Sequence, residues 1–300
     1  MAESIGEIVK ALVVNLAIAC GKAVAAALSG SGAMLAETLH SLADCGNQVL
    51  LLVGVRSSHK PPDARHPLGH GRAMYFYSFI VALLLFFGGG VFSIREGIAK
   101  LAHPEPVDSV ELAVGIVLFS LALDGYSLAS NLREINRRRG AATFWRYLRD
   151  TKDSDLIMVF GENAAGVLGL CLALAALVLA RATGNGRWDG AGSLAIGLVL
   201  VGVATFLARE VKSLLVGEAA DPAICGHVAE LAAELPDIQR VFNVITIQQG
   251  PGEILVAAKL EMQPGLDTAR IVATINELER RLKDRAPDVR WSFIEPDDQD

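Results

Sequence analysis

Apolar residues fill the first two-thirds of this chain in long uncharged runs, and such runs stop at about Lys212. A run of about 18 or more apolar residues is long enough to cross a bilayer core as a helix. The runs are rich in Leu, Ala and Val and do not alternate with polar residues, so they predict helices and not the strands of a closed barrel. Six spans are predicted, at residues 8–28, 34–56, 74–97, 109–132, 156–181 and 189–210. The first run has no convincing small-residue cleavage site, so it reads as a retained span and not as a cleaved signal.

Beyond Lys212 the period changes. Ile224, Val228, Leu231 and Leu235 recur at helical spacing after Pro222, and Val241 to Gln248 is rich in strand formers. Ile254, Val256, Ala258, Leu260 and Met262 then alternate with more polar positions at a period of two. Gly250-Pro251-Gly252 supplies a hairpin turn between those strands. Asp267 is placed to cap a helix bearing Val272, Ile275, Leu278 and Leu282, and Val289, Trp291 and Phe293 alternate as a third strand. The order αββαβ predicts a small two-layer ferredoxin-like domain, ending in a solvated acidic tail at 297–300. Two domains follow: a six-helix membrane domain at 1–212 and an α+β domain at 213–300.

Charge orients this arrangement. The segment 57–73 carries Lys60, Arg65 and Arg72, and 133–155 carries Arg133, Arg137, Arg138, Arg139, Arg146, Arg149 and Lys152. Basic excess marks the cytoplasmic side, which puts both termini there, most simply in a bacterial inner (plasma) membrane. Residues 213–300 hold 8 Lys and Arg against 16 Asp and Glu, within an overall charge of −6. No nucleic-acid partner is expected. With 52% hydrophobic residues and a mean hydropathy of +0.41, the chain is too apolar for an ordinary soluble domain. Cys20, Cys45, Cys171 and Cys225 form no CxxC pair, and three lie inside apolar runs, so they read as small buried hydrophobes.

Ionisable groups at membrane depth are costly and mark function by default. The second span carries Glu37, His40 and Asp44 in AETLHSLAD, with His40 and Asp44 four residues apart on one helix face. An imidazole and a carboxylate one turn apart suit a divalent transition metal. Metal requires the neutral imidazole, so proton and metal compete for it, which is a basis for antiport. The plainer alternative is a hydrogen-bonded His–Asp pair that only pins helices together. The fifth span offers Glu162 and Asn163, which either complete the site from a facing helix or, for Glu162, sit at a wet helix end. Asn15, Lys22, Asn47 and Asp124 are further polar residues within spans, and Lys22 reads as a charge partner for Glu37 or Asp124.

In the loop PPDARHPLGHGRA, Asp63, His66 and His70 have a spacing suited to a second, cytoplasmic metal site, with Gly69 and Gly71 allowing a tight fold. No Glu follows His66, so this is not the H-E-x-x-H pattern of metalloproteases. His59, His103 and His227 have no partner pattern and read as surface residues.

These segments resemble the cation diffusion facilitator family. SGAMLAETLHSLADCGNQVLLL is similar to its second span, RHPLGHGRA to its loop metal site, WDGAGSLAIGLVL to its sixth span and SLLVGEAADP to the entry of its cytoplasmic domain. The resemblance implies a non-enzymatic, proton-coupled homodimeric exporter of zinc or a related cation (manganese, iron, cobalt or cadmium). It places the transport site at His40 and Asp44 and a loop site at Asp63, His66 and His70. The family's fifth span usually carries H-x3-D, where this chain has Val159 and Asn163. With Glu162 beside it, the segment VFGENAAGVLG is more similar to the branch that includes mammalian zinc transporter nine. Phe293 stands where other members carry a metal-binding His, and Glu295 keeps the nearby acid, so dimerisation is expected to rest on apolar packing. The alternatives are a membrane-embedded metal enzyme and a non-transporting metal sensor.

Overall fold

The computed structural model describes residues 2–140, 142–150 and 154–298; Lys152 of the basic segment and residues 299–300 of the acidic tail lie outside them. Helices come first: α1 (Ala2–Ser29), α2 (Gly32–Ser58), α3 (Ala73–Leu84), which runs through a π-helical segment (Leu85–Val91) into α4 (Phe92–Ala102), α5 (Val110–Arg138), the short α6 (Phe144–Asp150), α7 (Ser154–Thr183) and α8 (Arg187–Val216). Then follow α9 (Pro222–Ala233), β1 (Ile238–Gly250), β2 (Glu253–Met262), α10 (Thr268–Arg285) and β3 (Val289–Pro296).

Among the described residues, five helices are long and apolar enough to cross a membrane: those at Leu12–Ser29, Ala73–Ala102, Val110–Arg138, Val159–Thr183 and Arg187–Val216. α2 has 27 residues, about 40 Å at 1.5 Å per residue, but Glu37, His40, Asp44, Asn47 and Gln48 lower its hydropathy. Among them are His40 and Asp44, the pair expected from the sequence to form the transport site.

Two compact units emerge. One comprises the chain up to Arg56 together with Phe76–Lys212; the other comprises Ser57–Tyr75 together with the chain from Ser213 onward. The break at Lys212 coincides with the end of the apolar runs, but the loop carrying Asp63, His66 and His70 groups with the C-terminal unit. Its Gly71 packs directly on the β1–β2 turn: a Cβ there would lie 2.8 Å from the carbonyl oxygen of Gln249 and 3.1 Å from Cα of Gly250.

In the helical unit, Ala25 of α1, Met34 of α2, Val110, Ala113 and Val117 of α5 and Leu170 and Leu177 of α7 form one buried cluster. Small residues bring the π-helical segment and α4 against α8. A Cβ on Gly90 would lie 3.1 Å from the backbone nitrogen of Val201, and one on Gly197 would lie 2.7 Å from that of Ile94. Such close backbone approach is how apolar helices pack where lipid removes the hydrophobic incentive. Asp189, in the first turn of α8 and 1% exposed, accepts hydrogen bonds from the backbone nitrogens of Gly32 (2.6 Å) and Ala33 (3.2 Å) and from the Ser31 hydroxyl. It thereby caps the free N–H groups at the start of α2, and Lys100 pairs with it at 2.9 Å. Sequence reasoning missed this knot because a carboxylate supplied by another helix leaves no local capping pattern.

In the C-terminal unit the strand order is β1-β2-β3, with β1 and β2 antiparallel and β2 and β3 parallel. The predicted period of two in β2 holds: Ile254, Val256, Ala258 and Leu260 are buried in a core with Val228 and Leu231 of α9 and Leu278 and Leu282 of α10. Asp221 and Asp267 cap their helices, accepting from the backbone nitrogens of Ala223 (2.8 Å) and Arg270 (2.7 Å). The third strand departs from the expected alternation. Val289 pairs with Ile254 but Trp291 pairs with Leu255, so one extra residue on β3 forms a bulge. That slip turns Phe293 to the outer face, where it is 58% exposed, and brings Ile294 to the core instead.

The cysteines need a correction. Cys45 is buried, whereas Cys20 and Cys171 are exposed on helix surfaces, where the bilayer supplies the apolar surroundings that a protein core would.

Candidate metal site

A cavity of about 460 Å³ opens among α1, α2, α5 and α7. α2 contributes His40, Asp44, Asn47 and Gln48, a sequence of three- and four-residue steps that keeps them on one face. α7 contributes Val159, Glu162, Asn163 and Gly166, α5 contributes Asp124, Ser127, Ser130 and Asn131, and α1 contributes Asn15. All four residues proposed from the sequence for the transport site, His40, Asp44, Glu162 and Asn163, therefore line one space. Val159 and Asn163, which replace the usual fifth-span ligands, line it too.

The imidazole of His40 is buried, with Nε2 3.8 Å from Oδ2 of Asp44. That separation is too long for a hydrogen bond. Nδ1 and Nε2 of His40 have no hydrogen-bond partner, and neither do Oε1 of Gln48 and Nδ2 of Asn131 in the same wall. A hydrogen-bonded pair that merely pins helices is thus not what α2 presents. Buried polar atoms without partners are costly, and here they belong to residues that line a space large enough for a cation and water. Glu162 lines the cavity, and its Oε1 accepts from Nδ2 of Asn47 at 2.5 Å, tying α7 to α2 at the wall.

Glu37 lies behind this wall and does not line it. It is fully buried and pairs with Nζ of Lys22 at 3.1 Å, and Lys22 also lies 3.9 Å from Oδ2 of Asp124. Gly169 gives Glu37 its room, since a Cβ there would overlap Oε1. Both partners weighed for Lys22 from the sequence are therefore its neighbours.

The cavity has a direction. Its lining runs from His40 to Gln48 on α2, from Asp124 to Asn131 on α5 and from Gly166 back to Val159 on α7. Along α5 and α7 that direction leads to the ends joined by the segment 139–153, which follows the Arg137 and Arg138 turn.

The loop residues Asp63, His66 and His70 present ligand atoms that all lie within 4.8 Å of one another. Asp63 Oδ1 accepts from the backbone nitrogens of Arg65 (2.8 Å) and His66 (2.7 Å), and these bonds hold its carboxyl below the usual carboxylate range. Nδ1 of His66 lies 3.3 Å and Nε2 of His70 3.6 Å from the same carboxylate. Gly69 takes φ +79° within the turn, a conformation that favours glycine. Two imidazoles and a carboxylate so gathered fit a divalent metal. Of the remaining histidines, His59 and His103 are exposed, but His227 is half-buried on α9.

Asp124 was visible in the sequence only as an ionisable residue inside an apolar run. Ser127, Ser130 and Asn131 carried no signal, because near a helix end such residues read as the approach to a loop.

Residues 8–216 match the family model described as the cation efflux transmembrane domain. The chain is 33% identical over 235 residues to a mitochondrial proton-coupled zinc antiporter of Xenopus laevis, covering 78% of this chain and 42% of that one. It is 32% identical over 237 residues to metal tolerance protein C4 of Arabidopsis thaliana, with 78% and 51% covered. It is 24% identical over 286 residues to the manganese efflux system protein MneP of Bacillus subtilis, with 91% and 90% covered. The chain thus spans about half or less of the length of the first two relatives, and nearly all of the third.

Proposed function

This chain belongs to the cation efflux family, a family of transporters and not of enzymes, and on that basis we propose that it exports a divalent metal cation, zinc first, in exchange for protons. The observation that carries the proposal is that His40, whose buried imidazole has no hydrogen-bond partner, lines one cavity together with Asp44, Glu162 and Asn163. Nitrogen and carboxylate oxygen together are common zinc ligands, and manganese accepts carboxylate and carbonyl oxygen. The names of the relatives, a zinc antiporter and a manganese efflux protein, support both ions as cargo.

The proposed cycle is alternating access. The cation is captured from the cytoplasm, with the Asp63, His66 and His70 loop as a first stop. It enters the cavity through the basic end of the bundle and is held by His40, Asp44 and an oxygen of the fifth span. Helix rearrangement exposes it to the other side, and protons taken up by the ligands release it, because imidazole and carboxylate bind metal only when deprotonated. In this reading α2 also crosses the membrane, as the second of six spans, with its polar face turned inward as membrane carboxylates and histidines require. Residues 1–212, apart from the loop Ser57–Tyr75 that groups with the C-terminal unit, form the transport domain. Residues 213–300 form a ferredoxin-like dimerisation domain whose outer sheet face, with Ile245 and Phe293 more than half exposed, pairs with a second copy by apolar packing. Both termini lie in the cytoplasm, and the membrane is the plasma membrane of a bacterium.

The test is transport by the purified protein in liposomes against zinc, manganese, iron, cobalt and cadmium, with internal pH recorded. Uptake of zinc or manganese with proton counterflow supports the proposal. Binding without movement would make the protein a sensor.

A further inference from the structure

Asp124 has no place in the site read from the second and fifth spans, yet the fold brings it there. It sits midway along α5, lines the same cavity as His40, and its side chain is 25% exposed to that space. The point where it meets His40 is defined by a missing side chain. Gly166 of α7 is buried, and a Cβ on it would lie 3.1 Å from Nε2 of His40 and 3.7 Å from Oδ2 of Asp124. Both atoms therefore face one spot that any larger residue would occupy. Nε2 is buried and has no hydrogen-bond partner, so it is free to ligate there. The same oxygen of Asp124 lies 3.9 Å from the ammonium of Lys22, whose closer partner is Glu37 at 3.1 Å. Lys22 is held more closely by Glu37 than by Asp124, which leaves the Asp124 carboxyl without a close ion-pair partner at the cavity wall.

We propose that Asp124 is a further ligand for the transported divalent cation, supplied by the fourth span, and that Gly166 is the position which keeps open the space between it and His40. This rests on the transport reading above. A carboxylate from the fourth span makes up for the charge that the fifth span lacks at Asn163. The ligand set then becomes one imidazole with several oxygens, a harder set than the usual two-histidine arrangement, which favours manganese relative to zinc more than such an arrangement would.

The experiment uses the full chain in detergent with His66→Ala and His70→Ala as background, so that the loop does not titrate, and cobalt(II) and zinc(II) as probes. Replacing the carboxylate by a thiol reports on contact: Asp124→Cys should give a sulfur-to-cobalt charge-transfer band absent from the background protein. Asp124→Asn and Gly166→Ala should each weaken cobalt binding about tenfold or more, and Asp124→Glu should recover part of the loss. No charge-transfer band, together with unchanged cobalt affinity in Asp124→Asn and Gly166→Ala, overturns the proposal. Failure of the background protein to bind cobalt or zinc at all, or indifference to His40→Ala, overturns the transport reading instead.

Discussion

Nε2 of His40 and Oδ2 of Asp44 stand 3.8 Å apart on successive turns of α2, beside the same cavity and without a hydrogen bond between them. A resting pair built for stability would close that gap. One that receives and releases a cation needs both groups uncommitted, and α2 holds them so by anchoring its polar residues elsewhere: Glu37 on Lys22, Asn47 on Glu162 and the helix start on Asp189.

In the proposed site Asn163 offers a neutral oxygen where a carboxylate would add charge. Asn163→Asp is expected to tighten zinc binding about tenfold, or ~1.4 kcal/mol. Titration calorimetry of the full chain checks this, and unchanged affinity would show that this residue does not reach the bound ion.

The Lys22–Glu37 pair is buried, with side chains 1% and 0% exposed. Removing one partner of such a pair leaves an uncompensated charge and costs about 3–5 kcal/mol, while replacing both costs much less. Lys22→Met should therefore lower the unfolding midpoint in detergent sharply, and Lys22→Met with Glu37→Met should restore most of it. Equal losses in the single and double variants would contradict this role for the pair.

Asp189 satisfies two backbone N–H groups, a hydroxyl and an ammonium at once. Asp189→Ala is expected to destabilise the protein by at least about 2 kcal/mol and to speed amide hydrogen exchange at Gly32 and Ala33. Exchange rates unchanged at those two residues would show that α2 is capped by other means.

In the C-terminal unit, hydrogen bonds from Arg280 and Arg281 hold the Glu277 carboxyl down at about 2, against an ordinary 4.5. A lowered folded value means stabilisation that is complete above about 4.5 and is lost as pH falls through about 2. The pairs are exposed, so the effect is small and screened by salt. Glu277→Gln should reduce the stability of this unit at pH 6 and low salt and leave it nearly unchanged at pH 2, as followed by hydrogen exchange along α10. An equal effect at both pH values would contradict the assignment.

What could be read from the sequence was whatever local periodicity dictates. The alternation of Ile254, Val256, Ala258 and Leu260 gave the core face of β2, and the four-residue step from His40 to Asp44 gave the face of α2. What could not be read depends on contacts distant in sequence. The bulge that turns Phe293 outward is a matter of pairing with β2, and α2 owes its cap to a residue 157 positions away. Asp124 joins His40 only because Gly166 of a third helix leaves room. A single span's pattern carries the type of a buried charge but not its neighbours.

Proton flux measures most directly whether the His40 and Asp44 wall carries the cation. In liposomes holding the purified protein and a pH-sensitive dye, a zinc gradient should drive proton movement with the wild-type chain and none above background with His40→Ala or Asp44→Ala, provided both variants remain folded. Wild-type proton flux in either variant would contradict the account.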